Sequence, residues 1–271
     1  MLEKDYKPNP INHLEKIKTK LINKEPFVFI RFSDGETEIL KNRYLEIVPG
    51  KTVFRGEELK NNFPQFDSKK FDPTLHQNIR MDLIESAKFK GVNYFKGIPT
   101  SHNKAIDDKN MMLDLNGGLD DAITFADLFL NSNYEKYLKE IVPLFGNFEH
   151  IVVIANYRAK MVDILRKAKH IEIPDNFFAN YDEVLMSTMN KLKDVEKGSL
   201  ILSSASSLSN ILGHKLFLER KDVTFLDIGT SINELLSLDN NIRSYHKQKN
   251  RSFIKKIFRK IFKKSKDNIK W

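Results

Sequence analysis

Short apolar runs at 26–32, 92–98, 151–156, 169–173, 199–204 and 223–228 alternate with helix-like stretches, and this alternation limits the fold more than any other feature of the chain. Each run is rich in Val, Ile, Leu or Phe, as suits a strand covered on both faces. Helical stretches follow strands at 158–168 and 178–193. Residues 206–219 carry apolar side chains at 208, 211, 212 and 216, the spacing of one helix face. Asp72-Pro73 reads as the N-cap and first position of a helix over 73–88. Strand and helix in turn imply βαβ units. The expected fold is α/β: a single Rossmann-like domain over 1–246, with a mostly parallel central sheet flanked by helices. Residues 43–72 are less regular and read as a small hairpin or lid. Residues 100–120 are polar and are broken by Asn116-Gly117-Gly118. There is no internal repeat.

Several chemistries are excluded. The chain has no cysteine, so it has no disulfide, thiolate metal site or thiol nucleophile. No Gly-x-Gly-x-x-Gly follows a strand, and there is no Walker loop or Gly-x-Ser-x-Gly elbow. No two histidines stand at His-x-x-x-His spacing. The N-terminus lacks an apolar signal core, and no stretch reaches the roughly 18 apolar residues of a membrane span. A cytoplasmic location is expected, with 41% apolar residues enough for a sizeable core.

Charge is unevenly spread. Residues 247–270 hold eleven Lys or Arg against one acid, Asp267, so they contribute +10 to a chain total of +9 and the remainder sums to −1. The body is close to neutral, and no nucleic-acid partner is expected. Ile or Phe at 253, 254, 257, 258, 261 and 262 fall on one face at 100° per residue, with Lys and Arg on the other. The segment 247–271 is therefore expected to be a C-terminal basic amphipathic helix that meets an anionic membrane surface through 251–264. Each cation near the headgroups contributes about 1 kcal/mol. Packing on the domain or on a second subunit, and RNA binding, are other uses of the same pattern.

The first run ends abruptly: FVFIRFSDGE over 27–36 stops at Arg31, Ser33, Asp34, Gly35 and Glu36. Ligands of open α/β sheets bind just outside the carboxyl ends of the strands, where these carboxylates are expected. Mg²⁺ or Mn²⁺ takes oxygen ligands and is often held by one or two carboxylates plus substrate phosphates. Gly35 permits the angles that turn both side chains to one side, and Arg31 offers a fork to phosphate. Ser33-x-x-Glu36 is also a capping box for a helix over 37–41. Spacing alone leaves both uses open.

RFSDGE after a strand resembles the RFGDGE-type signature of the GT-D glycosyltransferases, a family first described as a domain of unknown function. The similarity runs from about residue 20 to 246. Later echoes come in order: Asn156, Tyr157 and Arg158 after IVVIA, IPDNFFANYD at 173–182, SLILSSASS at 199–207, FLDIGTSIN at 225–233 and IRSYH at 242–246. The resemblance implies a metal-dependent enzyme of bacterial surface polysaccharide synthesis. It would transfer a sugar from a nucleoside-diphosphate sugar, here a UDP-sugar, to a glycan or lipid-linked acceptor. Asp34 and Glu36 would bind Mn²⁺ or Mg²⁺ and the donor diphosphate. There are departures. Ser33 replaces the family's usual second glycine, SSASS at 203–207 lacks an expected glycine, and Asn233 stands where many members have an acid.

The other candidates each have a bland counterpart. Ser204 and Ser206 lie where a helix N-terminus could cradle phosphate, or Ser206 simply caps that helix. Asn156 and Arg158 end a strand at the ligand edge, although Arg158 also suits a solvated first turn. Asn176 could bond a ribose or uracil-type edge, or belong to a Pro-Asp-Asn turn. Asp227 reads as a general base on an acceptor hydroxyl or as an N-cap. Arg243 and Tyr245, with His246, form a polar cluster suited to acceptor or phosphate. Another nucleotide-dependent transferase, or a non-catalytic protein bound at a membrane surface, are the alternative readings of the whole.

Overall fold

A computed structural model of the chain describes residues 10–62, 68–99, 105–238 and 243–247. In chain order the elements begin with α1 (Pro10–Asn23), β1 (Val28–Arg31) and α2 (Asp34–Leu40). Four short strands follow: β2 (Leu45–Val48), β3 (Lys51–Phe54), β4 (Glu57–Leu59) and β5 (Lys69–Phe71). Next come α3 (Gln77–Lys88), β6 (Tyr94–Ile98), α4 (Ile106–Asn116) and β7 (Ile123–Phe125). Then α5 (Tyr134–Lys136) and α6 (Val142–Phe145) flank a π-helical turn over Tyr137–Ile141. The second half contains β8 (Ile151–Asn156), β9 (Lys169–Ile173), α7 (Tyr181–Lys193), β10 (Leu200–Ser204), α8 (Ser207–Glu219) and β11 (Thr224–Asp227). It ends in a 3₁₀ segment over Gly229–Leu236 and α9 (Ser244–Lys247).

Seven strands form one parallel sheet in the order β7-β6-β1-β11-β10-β8-β9. All six apolar runs lie in it, and the expected α/β fold is present. Successive residues go to opposite faces, as strand geometry requires. Val28 and Ile30 pack with residues of α3, α4, α7 and α8. Phe27 and Phe29 pack with α1 and the 134–145 segment on the other face.

Several details differ from the sequence expectations. β7 was not anticipated. Helix α1 was not anticipated either, and α4 was missed in the stretch read as polar; its buried residues include Asp108 and Asn116, so it shows no apolar stripe. The helix expected at 158–168 is an irregular segment with one 3₁₀ turn at Asp163–Leu165. Its backbone pairs elsewhere, with the Lys160 and Val162 N–H groups bonded to the Leu236 and Leu235 carbonyls. The helix expected from Pro73 starts at Gln77; Asp72 instead accepts the Thr74 N–H in a preceding turn. The described residues end at 247, where α9 runs across the expected boundary between 246 and 247, and the amphipathic helix expected at 251–264 lies outside them. Among the described residues, no helix is long and apolar enough to cross a membrane.

α8 is buried all round its first turns, not on one face as its apolar spacing suggested. It lies tight on β1 and β11 because Gly213 has no side chain. A Cβ there would stand 2.6 Å from Ile30 Cγ2 and 3.0 Å from the Phe225 ring. Gly213→Ala is expected to destabilise the protein by about 1–3 kcal/mol through overpacking, seen as a lower urea midpoint with an unchanged m-value.

The stretch 43–72 forms a separate antiparallel sheet, β4-β3-β2-β5, rather than a single hairpin. Its register pairs Ile47 with both Thr52 and Lys69, and Leu45 with Phe71. Leu45, Ile47, Thr52, Phe54 and Lys69 therefore share one face by the two-residue period. The opposite face carries Lys51 and Glu46, bonded at 3.0 Å.

Candidate active site

From β1 the chain runs outward to β6 and β7, and on the other side it enters at β8 and returns through β10 to β11, which ends beside β1. Ligands of such sheets bind outside the carboxyl ends of the strands. A cleft of about 560 Å³ opens there. The turn after β1 supplies Asp34 and Glu36. Asp34 is exposed, and its Oδ1 accepts the adjacent Gly35 N–H at 3.0 Å. Glu36 is buried. Its Oε2 accepts the Ser33 N–H at 3.0 Å, as in a capping box, and its Oε1 accepts the Ser206 hydroxyl at 3.3 Å. Burial pushes the Glu36 pKa up, Lys69 opposes this, and the charges of Asp227 and Asp34 push it further up. Cap and cleft wall are thus one side chain.

Arg31 lines the cleft from a fixed seat. Its Nη1 donates to the Ala126 carbonyl at 2.9 Å, and its Nη2 lies 3.4 Å from Asp227 Oδ1. Asp227 also accepts the Arg31 and Gly229 backbone N–H groups at 3.2 and 3.1 Å. Burial raises its pKa, and Arg31 pulls against that rise. Gly229, at φ +48°, makes the seat possible: a Cβ would fall 2.0 Å from Arg31 Nη2. The sequence reading offered Asp227 as a base or a cap. In the structure it lies behind Arg31, outside the cleft lining, as that arginine's counter-ion. Arg31 Nε is buried with no hydrogen-bond partner among the described residues.

The remaining candidates divide. Asn156, Asn176, Ser204, Ser206, Arg243 and Tyr245 line the cleft. Arg158 does not. Both of its terminal nitrogens lie 2.8 Å from the Asp175 carboxylate, and its guanidinium covers the Tyr157 ring at 4.3 Å. Asn156 joins that network through Asp175 at 2.8 Å. Asn176 is a latch to the small sheet: its N–H donates to the Ser68 carbonyl at 3.0 Å, and its Oδ1 accepts the Lys70 N–H at 2.7 Å. Ser206, at φ +54°, makes no side-chain cap to its own helix and donates to Glu36 instead. Tyr245 bonds Thr230 and packs on Tyr134 at 4.9 Å between ring centroids. His246 is structural: it is buried, its Nδ1 accepts the Arg243 N–H at 3.0 Å, and burial holds its pKa down at about 4.

Sequence reasoning missed Lys69, Phe54 and Asn131, which also line the cleft. No local motif marks them. Among the described residues no group of three or more His, Cys, Asp or Glu gathers at one point. Two neighbouring carboxylates suit Mg²⁺ or Mn²⁺ that takes its other ligands from water and substrate phosphates. The exposed Asp34 carboxylate is open to such a cation, and Glu36 lies beside it with its two oxygens on the Ser33 N–H and the Ser206 hydroxyl.

These features define an open α/β protein with an acid-bearing cleft at the carboxyl ends of its strands. No family model matches the sequence, and no curated protein matches it. Solved structures share the fold. One, described as a new glycosyltransferase (DUF1792) from Streptococcus sanguinis, superposes with a TM-score of 0.54 at 14% identity, covering 82% of this chain and 81% of that one. Another, a selenomethionine-substituted structure of domain of unknown function 1792, gives 0.52 at 14% identity over 83% and 84%. The fold of this chain is that of the DUF1792 structures.

Proposed function

We propose that this chain is a glycosyltransferase that moves a sugar from a UDP-sugar to a glycan or lipid-linked acceptor in bacterial surface polysaccharide synthesis. The observation that carries this reading is the Asp34-Gly35-Glu36 turn, opening on a cleft at the end of β1. The shared fold with a protein described as a glycosyltransferase supports it. Asp34 and Glu36 would hold Mn²⁺ or Mg²⁺, which neutralises the charge that grows on a departing diphosphate. Arg31 adds a fixed guanidinium to the cleft wall. Lys69 brings a mobile point charge from the small sheet. Thr230, Asn233 and Arg243 offer polar groups to an acceptor on the far side of the cleft. The basic, Ile- and Phe-rich tail supports action at the inner face of the cell membrane.

Calorimetric titration of UDP tests the core of the reading. Binding in Mn²⁺ is expected to be at least about tenfold tighter than in a chelator, a difference of about 1.4 kcal/mol. Equal affinity in both conditions, or no binding in either, would sink it.

A further inference from the structure

The cleft has two unlike walls. On one side of the Asp34-Gly35-Glu36 turn, the small sheet presents Leu45, Ile47 and Phe54 in one register-matched face, with Lys69 at its edge. Elsewhere the wall is mixed, with the polar Asn131, Thr230 and Arg243 beside Leu130, Leu238 and Tyr245. A nucleoside diphosphate has a charged diphosphate joined to a flat ring with apolar faces and a polar edge.

We propose that the cleft-facing side of the small sheet is the nucleobase subsite, with Phe54 as its stacking ring. This rests on the nucleotide-sugar reading above. Ile47 and Phe54 are half-buried, so each keeps surface to offer a ligand. Phe54 is held at its strand end: the neighbouring Arg55 stands over its ring at 5.1 Å and is anchored on Asp108 at 2.9 Å. Lys69, directly across from Ile47 in the register, acts electrostatically on Glu36. The apolar face therefore begins beside the place where a diphosphate would sit. The wall also has a polar edge. Asn176 uses its amide oxygen on Lys70, which leaves its amide nitrogen to donate to a ring carbonyl. An isoprenoid chain has no use for that donor, and a pyrimidine does.

The test compares UDP with inorganic pyrophosphate and with geranyl diphosphate, each titrated in Mg²⁺. The wild-type protein is expected to bind UDP at least about tenfold tighter than pyrophosphate, from stacking of the base. Phe54→Ala is expected to lose about tenfold in UDP affinity and nothing in pyrophosphate affinity. Phe54→Tyr, which keeps a ring, is expected to bind UDP within about twofold of wild type. UDP affinity unchanged in Phe54→Ala overturns the assignment. Equal losses for UDP and pyrophosphate also overturn it, because Phe54 would then support only the shape of the cleft. A selective loss of geranyl diphosphate would give the wall to a lipid-linked acceptor instead. Absence of cation-dependent binding of both UDP and pyrophosphate by the wild type sinks the function reading and this subsite with it.

Discussion

Asp34→Ala is expected to weaken cation-dependent UDP binding by about a hundredfold or more, and to lower sugar transfer from a UDP-sugar at least as far. The hundredfold corresponds to about 2.7 kcal/mol, within the several kcal/mol that a metal ion supplies to charge stabilisation. The fold should hardly change. Asp34 is exposed, and among the described residues its one side-chain hydrogen bond is to the next residue's N–H at 3.0 Å. As an acid in the first turn of a helix it is worth about 0.3–1 kcal/mol. A melting temperature within about 4 °C of wild type follows. Glu36 cannot give so clean a result. It is buried and holds both the Ser33 N–H and the Ser206 hydroxyl, so Glu36→Ala is expected to damage the start of α2 and the cleft together. Full UDP affinity in Asp34→Ala, measured in Mn²⁺, would remove the carboxylate from the ligand site.

The reasons some of this was legible in the sequence are physical. Strands covered on both faces are unbroken apolar runs, so β1, β8 and β10 stand out. β7 is three residues long and gives no such signal. α4 hides because it buries Asp108, which pairs with Lys41 and Arg55, in place of an apolar side chain. Asp34 and Glu36 share a turn, so a motif reveals them. Arg31 and Asp227 are 196 residues apart and meet only because β1 and β11 are neighbours in the sheet. Lys69 and Phe54 reach the cleft through the register of three short strands. Residue order alone does not encode that register. The same limit explains Arg158: the sequence placed it correctly at a strand end, but not the Asp175 that occupies it.

Asp227→Asn is expected to cost about 3–5 kcal/mol of stability, because it leaves the Arg31 guanidinium buried without its counter-charge. In a protein of this size that is a fall on the order of 10 °C in Tm. Asn keeps an oxygen for the Gly229 N–H but sets its amide nitrogen against the Arg31 backbone N–H, which the second Asp227 oxygen accepts, so the loss reports the charge together with one backbone hydrogen bond. Neutralising both partners is the informative control. Arg31→Met with Asp227→Asn removes both charges together and keeps an acceptor for the Gly229 N–H, and removing a buried pair together is often near neutral in stability. The double variant is expected to recover most of the lost Tm and to remain inactive, since Arg31 itself lines the cleft. A base that faced an acceptor would behave differently. Its loss would lower kcat while leaving Tm nearly unchanged, and the double variant would gain nothing over the single one. Thermal unfolding of the two variants beside the wild type, read with their kcat, therefore decides between a positioning carboxylate and a catalytic one. Both oxygens of Asp227 are already engaged by Arg31 and by the Arg31 and Gly229 N–H groups, which favours the first outcome.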